Sequence, residues 1–415
     1  MLFIVNIGNH PILILLNIPF IFITLHCFHA LMRNSLILTA IILSSASFIK
    51  AQMPCGTKIN NSTLMQLQDF YHISGQYRQI NFEGQPYNIP LKIHVIRRKD
   101  GSGGLDTSLI PLIIDTLNYY YKNSMLEFYV CSTIEFINDK RFSNFEATEE
   151  EGALTLHDVP RMINIYFVDT LLTNNNEICG YAYMSGGPLE VFINNTCAIS
   201  GNTVVHEIGH VFSLIHTHGS NNSELTKELV DGSNCLDAGD FICDTPADPN
   251  LSDKTTYYSQ QDSCAYTGTV TDANADPFSP MINNIMAYVP SVCKPDTLTP
   301  QQYQRVYNAI FYYGLINTIC SDESAFSDEI ISVYPNPFFN ELFILFDLQN
   351  RSLVALSMFD LLGNHIQSLF FDYLEPGRNK LYFSVDDNKL TKGLYFITLT
   401  VDGKTVDATK IVSME

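Results

Sequence analysis

Three histidines and a glutamate lie within eleven residues, from His206 to His216. In the segment His206-Glu207-Ile208-Gly209-His210, two of the histidines are four residues apart. On a helix, this spacing brings both side chains to one face with Cβ atoms about 5 to 6 Å apart, so both can bind one metal ion. Glu207 then lies beside the metal as a base. The pattern predicts the active site of a zinc peptidase.

A third ligand, His216, follows His210 by six residues. A continuing helix would carry it roughly 9 Å further along the axis and onto another face, so the helix must end near Ser213. Three protein ligands leave a fourth zinc position for water, whose pKa then falls to about 7. Glu207 is the predicted general base toward that water.

A second motif, Asn283-Asn284-Ile285-Met286-Ala287-Tyr288, follows about seventy residues later. With HEIGHVFSLIH it resembles the metzincin peptidases, which combine H-E-x-x-H-x-x-G-x-x-H with a methionine turn. The pappalysin-like branch, of the cytophagalysin and ulilysin type, fits best over about residues 88 to 320. It is indicated by His216-Thr217-His218-Gly219, by GDFICDTPAD at 239–248 and by the form of the turn. Ser213 replaces the family's glycine at the helix end, where a left-handed residue costs about 1 to 2 kcal/mol.

The resemblance implies an α+β catalytic domain with a mixed twisted sheet, an active-site helix and a loop-rich lower subdomain. It makes Met286 an apolar floor beneath the histidines, and Tyr288 a hydroxyl donor to the tetrahedral oxyanion. A purely structural tyrosine is the alternative. Calcium ligands are also implied, with a solvated acidic loop as the alternative because no calcium loop of fixed spacing is present. They are Asp240, Asp244, Thr245 and Asp248.

Ten cysteines are typical of an exported protein. Cys27 belongs to the predicted leader, which leaves an odd number. The resemblance implies four bridges, although sequence does not fix their connectivity. The implied pairs are Cys235–Cys264, Cys243–Cys293, Cys179–Cys197 and Cys131–Cys320. The remaining Cys55 is a candidate cysteine switch, because a thiolate on a detachable segment can occupy the open zinc position. The alternative is that Cys55 is bridged and another thiol is free.

The chain has 43 acidic and 23 basic residues and a formal charge of −20, which argues against nucleic acid as a partner. Met32 is the predicted start. It is followed by the basic Arg33, an apolar run at 35–48 and the small residue Ala51 for cleavage, which together are typical of a signal peptide. The apolar stretch 11–31 contains Pro11 and Pro19, so a mistaken upstream start is favoured over a membrane anchor. Residues 1–51 are therefore read as leader and 52–87 as a pro-segment. No stable membrane span is expected in the mature form.

Hydrophobic periodicity predicts the elements that position the site. The active-site helix should begin near Asn202 or Thr203, either of which can cap it, and end at about Leu214. A last helix should begin at Thr299-Pro300 and run through Tyr313. A further helix is predicted at 108–121, and strands at 89–97, 125–136, 162–168 and 180–184.

After a linker at 321–328, residues 329–415 alternate apolar and polar positions between turns, which predicts an all-β sandwich. Four segments in this order resemble the C-terminal sorting domain of type IX secretion. That implies contact with this secretion machinery and a place outside a Bacteroidetes-type cell, secreted or on its outer surface. An adhesive β-module is the alternative. The segments are 333–338 (VYPNPF), 360–363 (DLLG), 392–395 (KGLY) and 410–412 (KIV).

These features predict a secreted zinc endopeptidase that acts on extracellular proteins or peptides. One alternative is a surface-displayed zinc-containing binding or adhesion protein without peptidase activity. The intact Glu207 argues against it, because a structural site has no use for a carboxylate at an open position. Another alternative is a zinc hydrolase of a different fold, in which a distant glutamate is the third ligand. That interpretation gives no role to His216 or to the methionine turn.

Overall fold

The structure is a computed structural model, and it divides the chain into two units, Met1–Lys50 and Ala51–Glu415. In the first unit, β1 (Leu2–Ile7) and β2 (His10–Leu15) form an antiparallel hairpin. The predicted signal peptide, and the linker apart from Asp328, lie outside the described residues. The described residues are 2–7, 10–15, 55–57, 59, 61–74, 84–147, 154, 157–159, 161–200, 202–251, 264–289, 293, 295–313, 320, 328–339, 341–384 and 390–414.

A mixed six-stranded sheet lies at the centre of the second unit. Its order is β10-β11-β7-β3-β4, with β5 also paired to β3, and every pair is parallel except β10 with β11. β7 is buried along its whole length, as parallel strands covered on both faces require. The strands are β3 (Tyr87–Arg97), β4 (Leu126–Val130), β5 (Glu135–Asn138), β6 (Asn144–Glu146), β7 (Ile163–Val168), β8 (Thr170–Thr173), β9 (Asn176–Ile178), β10 (Gly180–Ala182) and β11 (Glu190–Asn194). β6, β8 and β9 form a separate small sheet.

The strand predicted at 125–136 is two strands, β4 and β5. Ser132 lies between them with φ of 66°, a left-handed conformation that breaks an extended run. Cys131 is also tied to Cys320 at this point. The single strand was therefore a wrong prediction, because apolar alternation does not reveal a turn at a serine.

In the described ranges of the chain, four α-helices accompany the sheet: α1 (Asn61–Ser74), α2 (Ile110–Tyr121), α3 (Thr203–Val211) and α4 (Pro300–Tyr312). α4 begins as predicted, with a capping box between Thr299 and Gln302. α3 begins at Thr203, but Asn202 does not cap it. The Asn202 amide instead donates to Pro295 O at 2.7 Å and to Tyr120 Oη at 3.0 Å, so it ties α3 to its neighbours.

One hydrophobic core joins the sheet to α2, α3 and α4. Helix α1, which belongs to the predicted pro-segment, contributes Leu67 and Phe70, both 0% exposed, to this same core. Tyr71 of α1 donates a hydrogen bond to Ser213 O at 2.8 Å. The predicted pro-segment is therefore packed against the end of the active-site helix.

The C-terminal region is all-β, and the chain as a whole is α+β, as expected. Its strands form two sheets, of order β12-β13-β16 and β15-β14-β17-β18. A second core, which includes Phe338, Ile344, Leu356 and Ile397, lies between these sheets. The strands are β12 (Glu329–Tyr334), β13 (Glu341–Leu348), β14 (Ser352–Asp360), β15 (His365–Leu374), β16 (Gly377–Ser384), β17 (Gly393–Val401) and β18 (Lys404–Ser413). Among the described residues, none of the helices is long and apolar enough to cross a membrane.

Four disulfides tie the second unit together. Cys131–Cys320 and Cys179–Cys197 have the implied partners. The other two implied pairs are wrong, because Cys235 binds Cys243 and Cys264 binds Cys293, each with Cα atoms 5.1 Å apart. Turns between residues 231 and 241 fold Cys235 back onto Cys243, eight residues later, which leaves Cys264 to pair across a longer loop.

Candidate metal centre

Helix α3 ends in the way that a third histidine ligand requires. Ser213 has φ of 69°, and its amide donates to His210 O at 3.0 Å while the Leu214 amide donates to Gly209 O at 2.9 Å. These two bonds form a Schellman motif, with Ser213 in the left-handed position that glycine usually takes. The turn reverses the chain and returns His216 to the other two histidines.

The three histidines and Cys55 converge on one point. One ligand atom from each of the four residues lies within 4.8 Å of every other. His206 Nε2 and His216 Nε2 are buried and have no hydrogen-bond partner in the described part of the chain. Buried polar atoms without a partner are costly, and a metal ion here would satisfy both. Three imidazole nitrogens and one thiol are ligands that zinc prefers, so the residues fit a zinc ion.

In each ring, the hydrogen bond made by Nδ1 determines that Nε2 faces the point where the four ligand atoms converge, called here the metal point. His206 Nδ1 donates to Ile285 O and His210 Nδ1 to Leu214 O, both at 2.7 Å. His216 Nδ1 lies 3.1 Å from Asn222 Oδ1. Because oxygens of carbonyl groups only accept, each Nδ1 carries the proton and each Nε2 keeps its lone pair for the metal. Burial lowers the pKa of His206 to about 4 and holds the other two well below their usual value.

Met286, the residue of the methionine turn that the resemblance implies, packs against helix α3. It is fully buried, and its carbonyl accepts from the Thr217 amide at 3.2 Å. A Cβ on Gly209 would lie only 2.8 Å from Met286 Sδ, so the helix and the methionine are in close contact.

Glu207 is buried beside the metal point. Burial raises the pKa of its carboxyl to about 8. Its Oε2 lies 3.2 Å from Thr57 Oγ1 and 3.4 Å from Cys55 Sγ. A Cβ on Gly180 would overlap this carboxylate, so glycine at the start of β10 makes room for it.

Tyr288 packs against His216, one of the candidate metal ligands. Its ring centroid is 4.2 Å from that of His216. Its hydroxyl donates to Cys55 O at 2.6 Å and accepts from Asn222 Nδ2 at 3.0 Å. The hydroxyl is therefore aimed at a carbonyl oxygen beside the metal point.

A short stretch, residues 55–57, covers the site and is called here the covering segment. Cys55 pairs with Gly180 in a parallel bridge, and the Gly56 amide donates to Gly180 O at 2.8 Å. Thr57 Oγ1 accepts from the Ala182 amide at 3.0 Å and lies 3.1 Å from Ala182 O. The covering segment thus occupies the free edge of β10, where an extended peptide can add a strand. Among the described cysteines, Cys55 is the only free thiol.

A cluster of buried acids includes Asp248, which accepts from Thr217 Oγ1, one residue after His216. Asp240, Asp248 and Glu228 are buried, and no partner for Asp240 Oδ2 or Glu228 Oε2 lies among the described residues. Thr245 Oγ1 donates to Asp240 Oδ1 at 2.8 Å. Burial, together with the charges of Asp240 and Asp248, raises the pKa of Glu228 to about 9, and burial raises that of Asp240 to about 7. Asp244 Oδ2 accepts from the Gln301 backbone amide at 2.9 Å, and no partner for its buried Oδ1 lies among the described residues.

Several residues of these sites were missed by the sequence analysis. Glu228, Asn222, Thr57 and Gly180 reach their places through the tertiary fold. None of the four stands at a recognised spacing from a histidine or an aspartate. The only weak signal among them was Gly180, which directly precedes Tyr181-Ala182-Tyr183.

Comparison with known proteins adds two findings. Residues 332–414 match the family described as a secretion system C-terminal sorting domain. An extracellular metalloprotease of Podospora anserina is 24% identical over 311 residues, which cover 66% of this chain and 96% of that protein. The chain therefore carries a type IX sorting domain, and it is secreted or placed on the outer surface of a Bacteroidetes-type bacterium.

Two solved structures are similar only in part. OgpA of Akkermansia muciniphila shares 12% identity, with 82% of this chain and 95% of that chain covered and a TM-score of 0.23. The alkylpurine DNA glycosylase AlkC of Pseudomonas fluorescens shares 13% identity with a TM-score of 0.18. This match covers 26% of this chain and about a third, 34%, of that one. TM-scores this low carry no argument about fold or function.

Proposed function

We propose that this protein is a secreted zinc-dependent endopeptidase of the metzincin type, nearest in its motifs to the pappalysin-like branch, and that it is made as a latent precursor. The observation that carries the proposal is the pair of buried, unpartnered Nε2 atoms beside a buried glutamate. The distant likeness to an extracellular metalloprotease supports it. We further propose a leader at 1–51, a pro-segment at 52–87, a catalytic domain at 88–320, a linker at 321–328 and a sorting domain at 329–415.

In this proposal His206, His210 and His216 hold the zinc ion. When bound, zinc lowers the pKa of a water and polarises the peptide carbonyl. Glu207 takes a proton from the attacking water and passes it to the leaving amine. Tyr288 donates its hydroxyl to the oxygen that becomes negative in the transition state. β10 pairs with the extended peptide and positions the scissile bond.

The two alternative functions explain less of the geometry. A binding or adhesion protein needs no buried Glu207 next to an open ligand position. A hydrolase with a distant glutamate ligand leaves the convergence of His216 unexplained, since His216 already lies with the other two histidines.

The covering segment supports latency. Cys55 Sγ lies 3.4 Å from His210 Nε2, among the atoms that fit a zinc ion. Thr57 holds the β10 edge and lies within hydrogen-bond distance of Glu207. In the proposed precursor, the covering segment therefore blocks the fourth ligand position, the general base and the substrate edge together.

The test of peptidase function uses the chain with Cys55→Ser, so that the thiol no longer competes for the metal. Hydrolysis of a peptide library should be detected. Adding Glu207→Ala should lower it at least about a hundredfold while zinc stays near one per chain, since a general base contributes this much. Glu127→Ala, at an exposed carboxylate of β4, is the matched control and should keep full activity. Hydrolysis that survives Glu207→Ala rules out this mechanism.

The test of latency compares the precursor with two of its variants. Cys55→Ser should give activity without proteolysis. Thr57→Val, which keeps the shape but loses the hydroxyl contacts, should give a smaller rise. A Cys55→Ser precursor that is as inactive as the parent, and gains activity only when residues 52–87 are removed, would contradict a role for the thiol.

A further inference from the structure

Asn222 joins three side chains of the candidate metal centre. Its Oδ1 lies 3.1 Å from His216 Nδ1 and 3.0 Å from His218 Nε2, and its Nδ2 lies 3.0 Å from Tyr288 Oη. The amide is half-buried in the loop that follows the third ligand. No motif in the sequence singles it out.

The orientation of this amide follows from the chemistry of His216. If Nε2 of His216 is to bind a metal, Nδ1 must carry the proton and needs an acceptor. Only the amide oxygen of Asn222 can accept, so the amide nitrogen must point the other way, toward Tyr288. If the amide were flipped, Asn222 Nδ2 would face the protonated Nδ1 of His216, and both groups are donors. Tyr288 would then receive no hydrogen bond from Asn222.

The Tyr288 hydroxyl then has a defined direction. Because it accepts from Asn222 Nδ2, its own proton points away from Asn222. The proton is directed to Cys55 O, at 2.6 Å. A hydroxyl that accepts one hydrogen bond is also a better donor in the next. Cys55 O belongs to the covering segment, which pairs with the edge of β10. Under the proposed function a peptide bound at that edge would present its oxygen to the same proton.

We infer that Asn222 is a positioning residue with two roles: its amide oxygen fixes the tautomer of the third metal ligand, and its amide nitrogen aims the Tyr288 proton at the oxyanion. The inference rests on the proposed peptidase function for its second role. Its first role concerns metal binding alone.

Two substitutions separate the roles, both made in the Cys55→Ser chain. Asn222→Asp keeps an acceptor for His216 but removes the donor to Tyr288. It should bind zinc within about threefold of the parent and lower kcat about tenfold with little change in KM, since the lost interaction acts in the transition state. Asn222→Ala removes both groups. It should raise the zinc dissociation constant by about 10- to 100-fold, the range typical of lost outer-shell partners.

A double-mutant cycle with Tyr288→Phe isolates the second role. With the phenol hydroxyl gone, Asn222→Asp should change kcat by less than about twofold. Asn222→Ala should still weaken zinc binding as strongly as before. If Asn222→Asp lowers kcat equally with and without the Tyr288 hydroxyl, the amide does not act through Tyr288.

Asn221→Ala is the matched control, because Asn221 is the exposed neighbour in the same loop and its Oδ1 accepts only locally, from the Ser223 amide at 2.9 Å. It should leave the zinc dissociation constant and kcat unchanged. Equal loss of zinc in Asn221→Ala and Asn222→Ala would mean that the loop, rather than the amide, matters, and would overturn the inference. So would an Asn222→Ala chain with the parent's zinc affinity. If the Cys55→Ser chain hydrolyses no peptide, the proposed function fails, and the zinc measurements still decide the first role.

Discussion

The residue at the end of α3 must leave the helix in a left-handed turn if His216 is to join the other ligands. Ser213 does so with φ of 69°, where a side chain is strained by about 1 to 2 kcal/mol. Its side chain is fully buried, and its hydroxyl lies near the hydroxyl of Tyr313. Where zinc binding and folding are coupled, the metal contributes roughly 10 kcal/mol to stability. This exceeds the strain of a left-handed serine, so the fold tolerates it.

Ser213→Gly should therefore stabilise the protein by about 1 kcal/mol, because glycine adopts the left-handed conformation without strain. The measurement is the melting temperature of the zinc-loaded chain, which should rise. Asn202→Gly is the matched control, since Asn202 is also left-handed, with φ of 57°, but its amide is used by Pro295 and Tyr120. It should lower the melting temperature. A destabilised Ser213→Gly chain would show that the serine makes a favourable contact.

The acidic cluster predicts a pH dependence of stability in the absence of divalent cations. A raised pKa means that the folded state favours the protonated acid. The stability that Glu228 contributes is thus complete below its ordinary pKa of 4.5 and is lost as pH rises through about 9. Asp240 acts in the same direction, between 3.8 and about 7. Melting temperature should fall across this range.

Calcium should reverse that loss if Asp240, Asp244, Thr245 and Asp248, the calcium ligands that the resemblance implies, bind the ion together with Glu228. Carboxylates and hydroxyls are the ligands that calcium prefers, and a bound cation offsets the mutual repulsion of the acids. Protein freed of metal and reloaded with zinc alone should gain melting temperature on adding calcium, and should gain more at pH 9 than at pH 5. Glu228→Gln should flatten the pH dependence and reduce the gain. A calcium effect that is equal at both pH values would contradict the site.

At the scale of elements, the proposed pro-segment has two separable parts. The covering segment makes polar contacts at the metal centre, whereas α1 buries Leu67 and Phe70 in the catalytic core. Burial of one such side chain contributes about 1.5 to 3 kcal/mol. Removal of residues 52–87 therefore exposes core surface as well as the site, and the activated enzyme should be less stable than its precursor.

Phe70→Ala in the precursor should cost about 3 to 5 kcal/mol of unfolding free energy, since it leaves a cavity in that core. It should leave the precursor inactive, because the covering segment is unchanged. Cys55→Ser should do the reverse, with activity gained and little stability lost. The measurements are denaturant unfolding and peptide hydrolysis for both variants. Activity released by Phe70→Ala at a temperature where it is folded would mean that α1 itself holds the covering segment in place.

At the scale of the whole molecule, the catalytic region and the C-terminal sandwich have separate hydrophobic cores. Separate cores allow separate folding. Ending the chain after Ser327 should therefore leave zinc content and peptidase activity of the Cys55→Ser enzyme unchanged, and should abolish export in the native host. The readouts are cell fractionation in the host and circular dichroism of the purified protein. An unfolded truncated chain would show that the two regions depend on each other.

Local spacing allowed much of the site to be predicted from the sequence. The i, i+4 histidines, the helix that must stop before His216, the capping box of α4 and the all-β tail all depend on residues close together along the chain. Such patterns are set by helix and strand geometry, which the order of residues expresses directly. The left-handed conformation of Ser213 was implied by the family resemblance, in which glycine stands at this position.

Only the tertiary structure decided which distant residues meet at the site. Cys55 and Glu207 are 152 residues apart and Asn222 and Tyr288 are 66 apart, and nothing in their local sequence specifies those contacts. The same holds for Glu228 and for the pairing of Cys235 with Cys243 instead of Cys264. Such contacts depend on sheet order and loop paths, which long-range packing selects from many arrangements that local periodicity allows equally. Sequence spacing therefore determined the chemistry of the metal ligands, and the fold determined which groups surround and cover them.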